Sequence, residues 1–393
     1  MYLLELAGTE DAFAAREAAA AASDVSLLAP GLATARGIDR ARIRGLAYTQ
    51  RASELLGYAA GTVKNARTLL RAAAIDRTGT VAVRARDVRG STGIDTQHVE
   101  RELGAMLVER GFAVDLDAPD HELRAVFAAP AGLAMDDRST TDPAVDDPPA
   151  ADLSIDDRSA ADSSAVDHLA SWSEAEENGG ADDSEGICAL GWLVAESARG
   201  FGERAPTEKP FFQPGSMGPL LARALANVVG TGPRKTIVDP MCGTGGILVE
   251  AGLLGARVIG LDAQAKMVQG SRTNLAFYLD GTDIDAGSDD EGNPGRRFAV
   301  LQGDATRVPL RDGAADGVCF DVPYGRQSKV AGDLDGLVAG ALAEARRLAP
   351  RAVVVGDRSW TDTARNAGWA IESTFERRVH RSLTRHIAVL EPP

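Results

Sequence analysis

Short apolar runs recur along the second half of the chain, and their rhythm constrains the fold more than any other feature. Five runs occur at 236–239, 258–262, 298–304, 317–321 and 351–357, and helix-like stretches or loops separate them. Strands of a parallel sheet that are buried on both faces have continuous apolar sequences, and helices form their crossovers. The pattern therefore predicts a doubly wound, mostly parallel sheet. Two further runs, 369–375 and 384–390, have no helix between them and are predicted to add an antiparallel pair.

Four successive runs end in an aspartate, namely Asp239, Asp262, Asp304 and Asp321. The carboxyl ends of parallel strands meet at one edge of a sheet, and ligands bind at that edge in doubly wound folds. A polar residue at the end of one strand is ordinary, but that interpretation does not predict the whole series. Asp262 could accept hydrogen bonds from two ribose hydroxyls, and Asp304 stands where it could meet the amine of an adenine. The series therefore predicts a nucleoside cofactor.

A glycine-rich turn joins the first run to a helix predicted at 247–255. The turn begins with Asp239 and continues through Met241, Cys242, Gly243 and Gly245. Glycines let a backbone turn sharply and approach a ligand closely. The spacing differs from GxGxxG, and no Gly-Lys-Ser/Thr follows, so neither a dinucleotide site nor a phosphate loop is favoured. A cofactor site and a plain helix start are the two remaining interpretations.

The fourth run leads into the turn Asp321-Val322-Pro323-Tyr324-Gly325. An exocyclic amine on an aromatic base attacks poorly because its lone pair is delocalised into the ring. Acceptors must therefore hold its N–H groups and aim the nitrogen at an electrophile. Asp321 and the carbonyl of Val322 could supply these acceptors, Pro323 keeps the chain extended, and the ring of Tyr324 offers a face for stacking. Taken alone, the five residues also fit an ordinary turn.

The first half of the chain has a different pattern, in which strands and helices alternate. Strands are predicted at 1–6, 43–47, 80–86, 113–116 and 122–127, and helices at 11–22, 49–56, 62–74 and 95–110. Together they predict a separate α/β module in front of the parallel sheet.

Positive charge is concentrated in this first module. Between residues 34 and 90 there are 12 Arg and Lys residues against 4 acids, although the whole chain has a formal net charge of −15. Such a stripe is typical of a phosphate-binding surface, while the alternative is an ordinary solvated face. The arginines that we predict to contact phosphates are Arg36, Arg40, Arg42, Arg44, Arg84, Arg86 and Arg89.

An acidic stretch at 131–186 accounts for most of the negative charge. It contains 16 Asp and Glu residues and 2 Arg residues, so the remainder of the chain is close to neutral. Its low hydrophobicity and high charge predict disorder. Because predicted strands lie on both sides of it, at 122–127 and 187–195, we interpret it as an insertion in the first module. The domains are then predicted at 1–195 and 215–393, with a linker at 196–214.

Cysteine content and hydropathy indicate the compartment. The three cysteines, Cys188, Cys242 and Cys319, form no CxxC pair and no spacing suited to zinc, so neither a disulfide framework nor a metal site is expected. No apolar run approaches the roughly 20 residues that a membrane helix needs. A cytoplasmic, monomeric protein is therefore expected. Few lysines and many surface acids are typical of salt-loving archaea, and a GC-rich genome is the alternative explanation.

Taken in order, the glycine-rich turn, Asp262, Asp304 and the turn at 321–325 resemble the class I S-adenosylmethionine-dependent amino-methyltransferases. Three further segments, KPFFQPGSM at 209–217, LARAL at 221–225 and HRSLTR at 380–385, resemble the archaeal tRNA guanine-10 N2-methyltransferases, and the composition suggests a haloarchaeal member. This family joins a ferredoxin-like piece and a THUMP RNA-binding domain, an α+β module, to a Rossmann-like catalytic domain with a seven-stranded sheet.

The resemblance implies a role for each matching residue. Asp239, Met241, Cys242, Gly243 and Gly245 would hold the methionine part of S-adenosylmethionine, with Asp262 on the ribose and Asp304 on the adenine. The stretch from Phe212 to Met217, with Phe212 and Pro214 as its contacts, would close over the donor. Asp321, Val322, Pro323 and Tyr324 would hold the guanine of a tRNA. The family normally has Asp-Pro-Pro-Tyr at this turn, so Val322 is a departure from the pattern. No metal is implied, and a small activating protein subunit occurs in related enzymes.

Other functions remain open at this point. Methylation of another tRNA guanine, such as position 6, needs the same modules. Adenine-N6 methylation of DNA and glutamine methylation of proteins use a similar acceptor turn, although a THUMP-like module belongs with RNA. A non-catalytic RNA-binding protein with a decayed site is the candidate from a different class, and Val322 is its only support.

Overall fold

The computed structural model describes residues 1–130, 186–280, 297–323, 333–380 and 383–393 of the chain. The predicted acidic insertion lies outside the described residues except for its last position, and so do Tyr324 and Gly325 of the predicted acceptor turn. Within these ranges, no helix is long and apolar enough to cross a membrane.

The first half of the chain forms an antiparallel-rich sheet with helices packed on it. Its elements, in order, are β1 (Tyr2–Leu6), α1 (Asp11–Ala18), β2 (Ala22–Ser23), β3 (Ser26–Ala29), β4 (Leu32–Ala35), β5 (Gly37–Ile38), α2 (Arg40–Ile43), β6 (Thr49–Ala60), α3 (Val63–Ala72), β7 (Thr80–Asp87), α4 (Thr96–Glu109), β8 (Ala113–Val114), β9 (His121–Ala128) and β10 (Ile187–Glu196). Eight of the described strands form one sheet in the order β3-β4-β1-β6-β10-β9-β7-β8. β9 and β10 pair directly, so the acidic stretch does connect two neighbouring strands of this sheet.

Two of the predicted elements in this half are wrong. The strand predicted at 43–47 is the end of α2 followed by a turn, and the helix predicted at 49–56 is the first part of β6. β6 pairs with β1 on one side and with β10 on the other. Its sequence is rich in Ala, Leu and Glu, which favour helix locally. Pairing on both edges of the strand outweighs that local preference.

The second half forms the predicted parallel sheet. Its elements are α5 (Pro219–Val228), β11 (Thr236–Asp239), α6 (Gly246–Leu253), β12 (Arg257–Asp262), α7 (Ala265–Leu279), β13 (Phe298–Gln302), β14 (Gly317–Asp321), α8 (Leu334–Leu348), β15 (Ala352–Gly356), α9 (Thr361–Asn366), β16 (Ala370–His380) and β17 (Leu383–Glu391). The described strands lie in the order β13-β12-β11-β14-β15-β17-β16. Five are parallel, and β17 and β16 are antiparallel to their neighbours. The predicted α/β architecture is confirmed, including the final antiparallel pair.

Helix α1 of the first half packs along β16 of the second half. The guanidinium of Arg16 donates two hydrogen bonds to the carboxylate of Glu372, at 2.5 and 3.0 Å. Three residues earlier on the helix, the ring of Phe13 lies edge-on to the ring of Phe375, with 5.2 Å between centroids. Side chains three apart share one face of a helix, so one face of α1 contacts both Glu372 and Phe375 of β16. The two halves therefore share a packed interface.

A buried carboxylate lies at the centre of this interface. Glu17 is fully buried and accepts hydrogen bonds from the backbone N–H groups of Ala47 and Tyr48, at 2.6 and 2.7 Å. It also accepts one from the Nδ2 of Asn227 on α5, at 2.7 Å. Buried polar groups are costly unless they are paired, and here one side chain pairs with donors from both halves of the chain.

Candidate active site

Three of the predicted aspartates lie side by side at the carboxyl edge of the parallel sheet. Asp262, Asp239 and Asp321 end β12, β11 and β14, which are consecutive strands in the sheet. Burial raises the pKa of Asp239 well above its usual value. The hydrogen bond from the N–H of Met241 opposes this rise in pKa, and the charges of Asp262 and Asp321 add to it. The sheet therefore gathers carboxylates whose mutual repulsion a bound group with N–H or O–H donors would relieve.

The glycine-rich turn has the backbone conformation that its sequence predicts. Gly243 and Gly245 have φ angles of +50° and +78°, in the region that favours glycine. At Gly245, a Cβ would lie 2.4 Å from the Oγ of Ser271, so a side chain has no room there. At Gly243, a Cβ would meet no atom of the described residues within 4 Å. The turn is thus packed against α7 on one side and open on the other, as a ligand cradle requires.

Asp262 connects this turn to the end of β12. Its Oδ2 accepts a hydrogen bond from the N–H of Gly243 at 3.0 Å, and its Oδ1 accepts one from the N–H of Gln264 at 2.8 Å. Burial raises the pKa of Asp262, and these two backbone hydrogen bonds oppose the rise. A carboxylate oxygen has two lone pairs, so each oxygen can accept one more hydrogen bond. That capacity suits a pair of vicinal hydroxyls.

Asp304 differs from the other three aspartates. It lies two residues beyond the end of β13 and is exposed. Its Oδ1 accepts hydrogen bonds from both the N–H and the Oγ1 of Thr306, each at 2.8 Å. These hydrogen bonds lower the pKa of Asp304. The side chain is consequently a fixed, charged acceptor at the outer end of the row of aspartates.

The described part of the acceptor turn continues the sheet. Asp321 is half-buried and Val322 is 1% exposed. The N–H of Val322 donates to the carbonyl of Val355 on β15 at 2.8 Å. A proline has no N–H to donate, so the residue that departs from the family pattern gains a contact that proline would lack. Val322 therefore fixes this backbone by a hydrogen bond instead of by a ring.

The segment 209–217 is fixed against the glycine-rich turn by Asn274 of α7. Asn274 is fully buried. Its Oδ1 accepts from the N–H of Phe211 at 2.8 Å, and its Nδ2 donates to the carbonyls of Phe211 and Thr244, both at 2.9 Å. Ser216 adds a contact of 3.3 Å between its Oγ and the Oγ1 of Thr244. Asn274 thus binds the segment and the turn together.

The two residues predicted as contacts in this segment, Phe212 and Pro214, are not the ones that hold it in place. Phe212 is 42% exposed and Pro214 is exposed as well, so their side chains do not make the contacts that hold the segment in place. Phe211 does, because its ring packs against Gly270 of α7, where a Cβ would lie 2.0 Å from it. Ser216 lies within the predicted stretch, so the residues that the prediction missed are Phe211 and Asn274. The local sequence around Asn274 gave no signal for its role, because its partners Phe211 and Thr244 lie 63 and 30 residues away along the chain.

The arginines of the first half fall into two groups. Arg36, Arg40, Arg42 and Arg44 are exposed around α2. Arg84, Arg86 and Arg89 are half-buried and have internal partners. Arg84 donates to the carbonyl of Leu116, Arg86 to Glu5 and Gln50, and Arg89 to Asp11. The first group alone has the exposure that phosphate contacts require.

Comparison with known proteins shows similarity to methyltransferases. A family model described as an RMKL-like methyltransferase domain matches residues 206–387. The chain is 36% identical over 208 residues to the tRNA (guanine(10)-N2)-dimethyltransferase of Methanothermobacter thermautotrophicus, an alignment that covers 51% of this chain and 56% of that one. It is 30% identical over 118 residues to the human tRNA (guanine(6)-N(2))-methyltransferase THUMP3, which covers 30% of this chain and 23% of that one.

Among solved structures, TrmN from Thermus thermophilus aligns with 18% identity and a TM-score of 0.46, over 100% of this chain and 99% of that one. The chain spans about half the length of the first curated relative that it matches. Residues 206–387 thus match the model of an RMKL-like methyltransferase domain, and the chain is similar in sequence to tRNA guanine-N2 methyltransferases.

Proposed function

We propose that the chain transfers a methyl group from S-adenosylmethionine to the exocyclic N2 amine of guanine 10 in tRNA. The main support is the row of Asp262, Asp239 and Asp321, which lies beside an open glycine-rich turn in the part of the chain that matches a methyltransferase domain. Identity to a tRNA (guanine(10)-N2)-dimethyltransferase supports the choice of substrate. Addition of a second methyl group to the same nitrogen is part of the proposal.

The residues at the carboxyl edge fit the proposed donor. When bound, S-adenosylmethionine supplies a methyl group on a positively charged sulfur, which needs no metal to activate it. Gly243 leaves open space beside the turn, and Asp262 retains acceptor capacity on both oxygens for ribose hydroxyls. Asp304 offers a charged acceptor one strand further out, where we place the adenine. Met241 and Cys242 line the turn between Asp239 and Gly243.

The acceptor turn would hold the amine. Asp321 and the carbonyl of Val322 would each accept one N–H of the guanine amine and so aim the nitrogen lone pair at the methyl group. The amine proton is lost after transfer, to Asp321 or to solvent. Pro323 and Tyr324 complete the turn in this proposal, with the ring of Tyr324 stacked on the base.

The first half would deliver the RNA. We propose that residues 1–195 are a ferredoxin-like piece and a THUMP domain, and that residues 196–214 connect them to the catalytic domain. The exposed arginines Arg36, Arg40, Arg42 and Arg44 are the preferred phosphate contacts. Arg86 and Arg89 pair with Glu5 and Asp11. We therefore assign these two arginines a role in stabilising the module.

Guanine 6 is the second candidate position, because a tRNA (guanine(6)-N(2))-methyltransferase is also among the relatives. The purified chain, incubated with S-adenosylmethionine and unmodified tRNA, is expected to form N2-methylguanine and then N2,N2-dimethylguanine at position 10. Digestion to fragments followed by mass spectrometry assigns the position. Methyl groups at position 6 would select the second candidate, and methyl groups on another base would reject both.

We further propose that a small activating protein subunit binds this chain, and the same assay tests this. β13 pairs only with β12 among the described strands. Near this free edge of the sheet, Leu301 is 36% exposed and Phe277 is 64% exposed. Free strand edges with apolar side chains are typical places for another chain to add. The chain isolated from its own cells together with any bound subunit is expected to turn over faster than the chain purified alone. Equal turnover of the two preparations would mean that no subunit is needed.

Replacing Asn274 by alanine is expected to weaken binding of the donor by about 10-fold, because the variant would release the segment 209–217 from the glycine-rich turn. Isothermal titration with S-adenosylhomocysteine measures this directly. Asn366, the last residue of α9, is the matched control. Asn366→Ala is expected to leave the affinity unchanged, and an unchanged affinity in Asn274→Ala would contradict the assigned role of Asn274.

A further inference from the structure

The loop after β15 carries an aspartate that has no partner among the described residues. Asp357 follows Gly356, the last residue of β15, and is exposed. Its carboxylate makes no hydrogen bond with a described residue, and no Lys, Arg or His nitrogen of these residues lies within 4.0 Å of it. The carboxylates of Asp239, Asp262 and Asp304, in contrast, each accept backbone hydrogen bonds. Unlike these three, Asp357 has both oxygens available to a ligand.

Asp357 leaves the sheet at the same edge as the acceptor turn. β14 and β15 are parallel neighbours, with Asp321 beside Val355, and the N–H of Val322 donates to the carbonyl of Val355. Asp357 comes two residues after Val355. Neighbouring strands lie roughly 4.8 Å apart and a residue spans at most about 3.6 Å, so the Cα atoms of Asp321 and Asp357 lie within roughly 12 Å of each other. A purine base and two aspartate side chains can bridge this span.

The loop that carries Asp357 is held in place by its neighbours. Trp360 is 3% exposed, and its Nε1 lies 2.4 Å from the position that a Cβ on Gly356 would occupy, so the ring packs directly on the end of β15. Arg358 stacks on Trp360, with 4.2 Å from its Cζ to the ring centroid, and pairs with Asp335 of α8. The cation next to Asp357 is therefore bound elsewhere, and the loop offers a carboxylate on a fixed backbone.

The chemistry of guanine requires one more acceptor than the acceptor turn supplies. The ring N1–H of guanine lies beside the exocyclic N2 amine on the same edge of the base. In the proposed function, Asp321 and the carbonyl of Val322 accept the two N–H groups of the amine, and N1–H is left without an acceptor. A donor that is taken out of water without an acceptor weakens binding. Adenine has a lone pair at N1 in place of this hydrogen, and a carboxylate beside that position would repel it.

We propose that the carboxylate of Asp357 accepts a hydrogen bond from the N1–H of the target guanine and thereby selects guanine over bases that lack this hydrogen. The inference rests on the proposed function and adds to it the residue that determines the identity of the base. Asp321 holds the nitrogen that receives the methyl group, and Asp357 holds the ring nitrogen beside it. N1 keeps its proton throughout, so Asp357 contributes to recognition and takes no part in the proton transfer.

Methylation of tRNA that carries 2-aminopurine at the target position tests the proposal. This base keeps the amine at C2 but has a lone pair instead of a hydrogen at N1. For wild-type protein, kcat/KM is expected to be about 100-fold higher with guanine than with 2-aminopurine. In Asp357→Asn the side-chain amide can donate to the lone pair. The preference for guanine is therefore expected to fall below about 10-fold in this variant.

Asp362→Asn is the matched control, since Asp362 is an exposed aspartate of the same domain that pairs with Arg365. It should keep the preference of wild type. Loss of a negative charge near RNA also strengthens RNA binding in general, but this affects both substrates and leaves their ratio unchanged. Asp357→Glu retains a charged acceptor and is expected to keep most of the preference. Calorimetry with S-adenosylhomocysteine checks that each variant is folded, and Asp357→Ser, judged by the same ratio, replaces Asp357→Asn if that variant does not fold.

Two results would overturn this inference alone. Wild-type protein that methylates both tRNAs equally well would show that nothing in the site reads N1–H. An unchanged preference in Asp357→Asn would show that Asp357 is an ordinary solvated acid or acts only on the structure, because either role affects both substrates alike. Failure of the proposed function gives a different result, in which wild-type protein forms no methylguanine in natural tRNA, and this inference then falls together with that function.

Discussion

Replacing Asp321 by asparagine is expected to reduce methyl transfer to tRNA by at least about 1,000-fold while the affinity for S-adenosylhomocysteine stays within a few-fold of wild type. The asparagine keeps the size of the side chain but can present an N–H to an amine that itself has only N–H groups to offer. The nitrogen then loses a charged acceptor that aims its lone pair. Single-turnover methylation and calorimetry measure the two quantities separately.

Asp362→Asn is the control for this change, because Asp362 is an exposed carboxylate on α9 of the same domain. Its turnover should equal that of wild type. A large loss of donor affinity in Asp321→Asn would mean that Asp321 belongs to the donor site. The charge of Asp321 acts on Asp239, so a small gain in donor affinity is compatible with the proposed role.

Replacing Glu17 by alanine is expected to lower the free energy of unfolding by about 3–5 kcal/mol, because three buried donors would lose their acceptor and a cavity would remain. The N–H groups of Ala47 and Tyr48 and the amide of Asn227 would lose their shared acceptor inside the interface. Chemical denaturation measures the change. Glu109→Ala, at an exposed position of α4, should cost less than about 0.5 kcal/mol, and a similar cost at Glu17 would contradict the interface described here.

Glu17 also predicts how stability depends on pH. Burial raises the pKa of Glu17 to about 7, and the hydrogen bonds from Ala47 and Asn227 oppose the rise. The folded chain therefore binds this proton more tightly than the unfolded chain, whose carboxyl has its ordinary value of 4.5. The contribution of Glu17 to stability is largest below pH 4.5 and is lost as the pH rises through about 7. In Glu17→Gln this part of the pH dependence should disappear.

The catalytic half was predictable from sequence because its signals are local. Each buried parallel strand is a short apolar run, and the runs at 236–239 and 317–321 correspond to β11 and β14 residue for residue. An aspartate at the end of such a run has its place fixed by the topology of the sheet alone. Asp239, Asp262 and Asp321 could for this reason be brought together before any coordinates were known.

The contacts between distant segments could not be predicted in this way. β6 has a helix-forming sequence and becomes a strand because β1 and β10 flank it, and β10 lies more than a hundred residues away in sequence. Asn274 is an ordinary residue until the fold places it against Phe211. Patterns in a single sequence indicate periodicity and turns, but they carry no information about contacts with residues that are distant in sequence.

Val322 gives the acceptor turn a property that proline would remove. Its amide hydrogen is bonded to the carbonyl of Val355, one residue away from the carboxylate that we propose holds the base. Deuterium uptake at this single amide would report how often the turn separates from β15. A guanine bound at the turn should slow this exchange. Hydrogen exchange at the Val322 amide would therefore report binding of the substrate base, which a proline at this position could not do.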